Sequence, residues 1–317
     1  MITVKELAEK LKKGNRYAIF THIRPDGDTI GSAVALCLAL RKLGKIAQIF
    51  SSDTIPKKFE FLPEIKNIKC ELGGDYDTFI AVDCSDLARL GAFADAFSRH
   101  IYTFVIDHHI SNDGYGKITY MRDTASNCEN MFDVIVNLGG ETVFDADIAN
   151  ALLLGISTDT GNFSHKDIGA NPFRVAECLI SRGADINKIH YEMFKKQTKE
   201  RAKLHGLVMS KIRYFLDGEL GVISVFQKDF ATTGADPSET EGFIDFLMNV
   251  DTVKVGVCLM ETKDKTFKIS FRSKGIDVNE IAGVFGGGGH VLASGCMLNG
   301  YYEDVVDRIV YACKQRM

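Results

Sequence analysis

His22, Asp26 and Asp28 put one imidazole and two carboxylates into the stretch His22-Ile23-Arg24-Pro25-Asp26-Gly27-Asp28. The stretch follows the apolar run Tyr17-Ala18-Ile19-Phe20-Thr21 and precedes a second apolar run that opens at Gly31-Ser32. A strand end that feeds a helix start is where open α/β sheets place their ligands. Carboxylates crowded there repel one another unless a positive group lies between them, and a divalent cation answers that need. A loop explains the same residues, with Pro25-Asp26-Gly27 as a turn and Asp28 capping the next helix. Taken alone, the stretch fits both.

Three later segments repeat the pattern. Phe79-Ile80-Ala81-Val82 runs into Asp83; Thr103-Phe104-Val105-Ile106 runs into Asp107, His108 and His109; Ala151–Ile156 leads through Ser157-Thr158 to Asp159. Each has its own plain explanation. Asp83 fits a helix cap, His108 and His109 fit surface histidines, and Asp159 fits a turn. One shared metal site on one sheet edge accounts for all of them at once. Aspartates with imidazoles form a hard-to-borderline ligand set that suits Mn²⁺ best, with Mg²⁺, Co²⁺ or Zn²⁺ also accommodated. No thiolate belongs to the set, which argues against a structural zinc site. Asp107 is placed to orient an imidazole; a strand-end aspartate facing solvent is the alternative.

The elements that must position these groups alternate between strand and helix. Strands are expected at 17–21, 45–50, 79–83, 102–107 and 118–121, and helices at 31–43, 128–137, 147–154 and 172–182. That order predicts an α/β domain built on a doubly wound, mostly parallel sheet. Residues 185–213 carry a long helical pattern rich in Lys and Glu, read as a connector. Beyond it the pattern changes to two hairpins, 213–216 with 220–226 and 253–261 with 266–272, the second turning at residues 262–265. With helices at 239–249, 278–285 and 303–314, this predicts a smaller α+β domain. The expected division is 1–184, a connector over 185–212, and 213–317, with a cleft between the domains as the natural active site. Gly286–Gly289 with His290 offer backbone N–H groups for an anion nest, against a plain hinge as the alternative. Arg272 and Lys274 are candidate phosphate clamps, and Arg272 is the better suited to bidentate contact.

Bulk properties narrow the substrate. The 317 residues are 45% hydrophobic and 25% charged, with a net charge of −4. Asp26, Asp28, Asp83 and Asp159 bring four of the negative charges to one place, where two divalent cations would balance them. No Lys/Arg stripe of the kind that tracks a long polyanion is present, which favours ligands with few phosphates over a long nucleic acid. The longest nearly apolar stretch, 33–40, is too short to span a bilayer. The eight cysteines are scattered without a C-x-x-C pair; with no signal-peptide pattern at residues 1–14, the expected setting is cytoplasmic.

These motifs resemble, in order, those of the DHH phosphoesterase superfamily: His22-x-x-Pro25-Asp26-x-Asp28-x-x-Gly31-Ser32, Asp83, Asp107-His108-His109-x-x-Asn112, and Gly155-Ile156-x-Thr158-Asp159-Thr160-Gly161-x-Phe163. Phe285-Gly286-Gly287-Gly288-Gly289-His290 and Ala293-Ser294-Gly295 resemble the glycine-rich signature of the DHH-associated C-terminal domain; Ser294 departs from a common alanine. The resemblance covers essentially the whole chain and is closest to the stand-alone nanoRNases and pAp phosphatases. It implies that His22, Asp26 and Asp83 hold one cation, and that Asp28, Asp83, His108 and Asp159 hold the other, with Asp83 bridging. It also implies that His109 meets the scissile phosphate and that Gly287, Gly288, Gly289 and His290, with Arg272, bind substrate. The implied activity is cleavage of the 3′-O–P bond of short oligoribonucleotides, or of 3′-phosphoadenosine 5′-phosphate (pAp), by water activated between two cations about 4 Å apart. A cyclic dinucleotide phosphodiesterase shares that core. An inorganic pyrophosphatase is disfavoured by the glycine-rich loop, and a non-catalytic nucleotide-binding protein by the complete ligand set. A homodimer through the catalytic domain is expected by analogy alone.

Overall fold

Side chains in the strands of the first half alternate between two apolar layers, so helices must cover both faces. The computed structural model describes residues 2–165, 168–263 and 265–317. It divides into two units, Met1–Lys196 and Gln197–Met317.

In the first unit, strands β1 (Arg16–Phe20), β2 (Ile46–Phe50), β3 (Thr78–Val82), β4 (Thr103–Asp107) and β5 (Ile118–Met121) form one sheet in the order β2-β1-β3-β4-β5. Every neighbouring pair is parallel. Tyr17, Ile19, Ile80, Val82, Phe104 and Ile106 face one layer. That layer is supplied by α1 (Val4–Leu11), α2 (Gly27–Lys42), α4 (Asn127–Gly139) and α5 (Ala146–Asp159). Ala18, Phe20, Phe79, Ala81 and Val105 face the other, under the 3₁₀ segment Leu87–Phe93 and α3 (Ala94–Arg99). The sheet is therefore doubly wound and wholly parallel, and its order reverses between β1 and β3. α6 (Asn171–Ser181), which opens on Pro172, and α7 (Ile186–His190) complete the unit.

Two helices differ from expectation in ways that matter for the site. α2 begins at Gly27 rather than 31, because the Asp26 side chain accepts from the N–H groups of Asp28 and Thr29 and starts the helix early. α5 runs on to Asp159 rather than stopping near 154. The continuous helical pattern expected over 185–213 is instead three pieces: α7, a π-helical turn at Tyr191–Lys195, and α8 (Lys199–Met209) with Thr198 as its cap.

The second unit holds a mixed sheet in the order β10-β11-β9-β8-β7-β6. Its strands are β6 (Arg213–Phe215), β7 (Leu220–Val225), β8 (Val255–Lys263), β9 (Thr266–Ser273), β10 (Gly288–His290) and β11 (Ala293–Asn299). Both expected hairpins form, and Asp264 in the second turn lies outside the described residues. One face packs on α11 (Val278–Gly283) and α12 (Tyr302–Lys314). On the other, α8, α9 (Gln227–Thr233) and α10 (Phe243–Met248) cover β7 and part of β8. The helix expected over 239–249 is split into a 3₁₀ turn, Pro237–Thr240, and α10, because Gly242 between them is left-handed (φ 81°).

Candidate metal centre

The parallel arrangement delivers the chemistry to one edge. β1, β3 and β4 are adjacent, so His22, Asp83 and the Asp107–His109 run leave the sheet side by side at its carboxyl end. The point where strand order reverses, between β1 and β3, lies among them. α2 contributes Asp26 and Asp28 from its N-terminus, and α5 contributes Asp159 from its C-terminus. Glycine lets the two helices close up: a Cβ on Gly31 would meet the Ala151 carbonyl oxygen at 2.3 Å, and one on Gly155 would meet Asp28 Oδ1 at 2.6 Å. The Thr29 hydroxyl ties the start of α2 to the Val82 carbonyl, 3.2 Å away, next to Asp83.

Three overlapping groups of ligating atoms result, one of them Asp83, His108 and His109, and the other two divide the cluster. His22, Asp26 and Asp83 form one, Asp28, His108 and Asp159 the other, and the atoms of each lie within 4.8 Å of one another. Asp83 stands between them. Its Oδ2 is 3.5 Å from His22 Nε2, and its Oδ1 is 3.3 Å from His108 Nε2. Asp26 Oδ2 is 3.4 Å from His22 Nε2, and Asp159 Oδ2 is 3.7 Å from His108 Nε2. Asp26 is thus both a helix cap, through Oδ1, and a member of the cluster, through Oδ2.

The imidazoles present the correct atom. His108 Nδ1 lies 2.9 Å from the Thr124 carbonyl, a contact that requires Nδ1–H and leaves the Nε2 lone pair facing the carboxylates. His22 Nδ1 lies 2.7 Å from the Ile23 carbonyl in the same sense. Asp28, fully buried, is held by the Ser126 hydroxyl (3.0 Å) and by the backbone N–H groups of Asn127 and Cys128 at the start of α4.

Electrostatics point to a cation. Asp83 Oδ1 is buried without a hydrogen-bond partner among the described residues, a costly state for a carboxylate oxygen. Asp83 also adopts a left-handed backbone (φ 53°), which an L-residue holds only under constraint from its surroundings. Burial pushes the Asp159 carboxyl well above its usual range, with the charges of Asp28, Asp83 and Asp26 adding to the effect. Burial would lower the His22 imidazole, but Asp26 and Asp83 outweigh it and raise the group to about 9. Negative charge here exceeds what the imidazoles balance, and oxygen and nitrogen donors in this arrangement fit hard-to-borderline divalent cations.

Asp107 is outside these groups, whereas His109 also lies against them, with Nδ1 3.8 Å from Asp83 Oδ1. Asp107 is fully buried; its Oδ1 accepts from His109 Nδ1 and the His108 N–H, both at 2.8 Å, and its Oδ2 accepts from Asn112 Nδ2 at 2.6 Å. Burial opposes the charged form, but the hydrogen bonds of His109 and Asn112 win, and the carboxyl stays below its ordinary value. Asp107 therefore orients His109 and does not face solvent. His109 is one-third exposed, with Nε2 left for contact.

Sequence reasoning assigned no role to Arg89, Ser126 or Asn112. The Arg89 carbonyl accepts from the Ile23 N–H at 2.7 Å beside His22, and nothing in its spacing marks it. Asn112 is carried by the Asp-His-His-x-x-Asn spacing and also donates to the Cys84 carbonyl, joining the ends of β3 and β4. In the second unit the glycine segment differs from a loop of free amides. The N–H groups of Gly286, Gly287 and Gly289 donate to Gly283 O, Ala282 O and Asn279 Oδ1. Gly288–His290 forms an edge strand, because a two-residue turn at Val291-Leu292 pairs it with β11. His290 and Gly288 remain exposed, and Arg272 lies on β9 two strands away.

A cluster of carboxylates and imidazoles able to hold cations, at the switch point of a parallel α/β sheet, defines the class, and family comparison agrees with it. The DHH family N-terminal domain matches residues 16–156 and the DHHA1 domain matches residues 222–317. The chain is 30% identical to a bifunctional oligoribonuclease and PAP phosphatase of Thermus thermophilus, over 98% of this chain and 93% of that one. It is 26% identical to a protein of the same description from Bacillus subtilis, over 96% of each. The crystal structure of an exopolyphosphatase-related protein from Bacteroides fragilis shares the fold, with a TM-score of 0.83 at 24% identity over 98% of this chain and 95% of that one. The chain belongs to the DHH phosphoesterase family and is an enzyme of the phosphodiesterase and phosphatase type.

Proposed function

We propose that this chain hydrolyses the 3′-O–P bond of very short oligoribonucleotides, releasing 5′-mononucleotides, and that of pAp, giving AMP and phosphate. The observation that carries the reading is Asp83, whose two oxygens face two separate ligand groups. In this reading His22, Asp26 and Asp83 hold one divalent cation and Asp28, Asp83, His108 and Asp159 hold a second, with Mn²⁺ the best match. Such a pair supplies positive charge to a phosphoryl oxygen and acidifies a water. The chain's own groups do the rest. Water oxygen bonds to phosphorus as the P–O3′ bond breaks, and the leaving oxygen takes up a proton. His109, oriented by Asp107 through Nδ1, offers Nε2 to the phosphate or to that leaving oxygen. Asp107 acts through His109 and is a positioning residue.

In the second unit, Arg272, His290 and the exposed glycine edge are the candidate contacts for a nucleotide substrate. Few phosphates suit a chain of net charge −4. Eight free cysteines suit a reducing, cytoplasmic setting, and no helix among the described residues is long and apolar enough to cross a membrane. The test is a panel of pAp, pApA, c-di-AMP, five-mer and twenty-mer RNA and pyrophosphate with Mn²⁺. Fast turnover of pAp, pApA and the five-mer is expected. Preference for c-di-AMP over pApA would move the assignment to a cyclic dinucleotide phosphodiesterase, and strong activity on the twenty-mer would refute the short-substrate reading.

A further inference from the structure

The start of α4 is polar where a helix packed into the core calls for apolar side chains. Ser126, Asn127, Glu129 and Asn130 are all buried there, Asn130 fully so. Asn130 opens a buried row that continues at successive turns with Val134 and Leu138. Asparagine is a weak helix former, and burying its amide costs free energy unless its polar atoms are paired. The Asn130 amide is only half paired, because its Oδ1 has no hydrogen-bond partner among the described residues. Stability alone is better served here by an apolar side chain, so the reason for an amide lies at its other end.

That end is fully used. Asn130 Nδ2 donates to the Asp107 carbonyl at 3.1 Å and to the Arg122 carbonyl at 3.2 Å. The first carbonyl belongs to the peptide that joins Asp107 to His108, at the end of β4. The second stands just past β5 and also accepts from the Thr124 hydroxyl at 3.4 Å. The Thr124 carbonyl in turn lies 2.9 Å from His108 Nδ1. One buried amide therefore holds His108 twice, through the peptide before it and through the turn that orients its ring. The same end of α4 holds Asp28, through the Ser126 hydroxyl and the N–H groups of Asn127 and Cys128. Asp28 and His108 fall in one group of ligating atoms, with Asp159. The other group is built without α4: His22 Nδ1 faces the Ile23 carbonyl, and Asp26 caps its own helix.

We propose that Asn130 is a positioning residue for one cation alone, the one that Asp28, Asp83, His108 and Asp159 would hold, and that the site of His22, Asp26 and Asp83 forms independently of it. The inference rests on the two-cation reading above. Without the amide, α4 no longer joins the end of β4 to the 122–126 turn, and His108 Nε2 loses its fixed place. A metal site responds to such loss in its supporting contacts with weaker binding at the ligand that moved.

Calorimetric Mn²⁺ titration of the chelator-stripped full-length protein tests this. The wild type should bind two ions. Asn130→Leu, close in volume and suited to a buried helix, should keep one at wild-type affinity and bind the other about 10- to 100-fold more weakly. Adding Asp26→Asn, which keeps an oxygen for the helix cap, should remove the ion that remains tight; adding Asp159→Asn instead should leave it. Two ions at wild-type affinity in Asn130→Leu, or both weakened alike, would overturn the proposal. Asn130→Ser, which retains one donor but cannot span both carbonyls, is the milder variant should the leucine protein not fold, and it should show the same one-sided loss to a smaller degree. A wild type that binds a single ion would instead contradict the two-cation reading on which the proposal rests.

Discussion

The two units treat charge in opposite ways. At the sheet edge of the first, carboxylates and imidazoles are packed so closely that almost every atom is already held: Asp28 by the start of α4, Asp107 by His109 and Asn112, His108 by the Thr124 carbonyl. On the open sheet face of the second, Arg272 and Lys268 stand without acidic partners among the described residues. The first arrangement suits cations, which need ligand atoms preset within tenths of an ångström. The second suits a larger anionic ligand, for which long side chains can adjust. In the proposed function, chemistry belongs to the first unit and substrate contact to the second.

Substitutions can break this division, starting with the largest expected effect. Asp83→Ala removes the one group shared by both ligand sets and should lower pAp hydrolysis by about a thousandfold or more; activity near the wild-type rate would remove the basis for the metal centre. Asp107→Asn keeps the shape but weakens the hold on His109, and kcat should fall about 10- to 100-fold with KM little changed. A rise in KM alone would instead place Asp107 in binding. Arg272→Lys tests the other unit: KM should rise about tenfold while kcat stays, because a point charge replaces a planar fork. If kcat falls instead, Arg272 belongs to the chemistry and the contrast between the units fails. Gly155→Ala drives a methyl against Asp28 Oδ1 and Cys128 Sγ. It should lower stability in denaturant titration by about 1–3 kcal/mol and weaken Mn²⁺ binding with it.

How far the sequence carried these conclusions differs between the units for physical reasons. Apolar runs ending in carboxylates marked β1, β3 and β4 to within a residue or so, since strands buried on both faces must be continuously apolar. The same logic brought His22, Asp83 and His108 to one edge. The helix cap expected at Asp28 falls instead on Asp26, whose Oδ1 caps α2 while its Oδ2 belongs to the cluster. The start of α2 was misplaced because Gly27, Asp28 and Thr29 are weak helix formers held in the helix by that cap. Arg89 and Ser126 reach the site through backbone turns that no spacing rule encodes. In the second unit, a run of glycines signals freedom but not its use, so the pairing of Gly288–His290 with β11 was not legible. The 3₁₀ turn Pro237–Thr240 was hidden in what read as one helix, until Gly242 divided it.

The central claim is that Asp83 joins two cation sites. Direct counting of Mn²⁺ bound per chain, by calorimetric titration of the chelator-stripped full-length protein, tests it most directly. The account predicts two ions for the wild type and loss of high-affinity binding at both sites in Asp83→Ala. A wild-type stoichiometry of one or none, or two ions retained without Asp83, would contradict it.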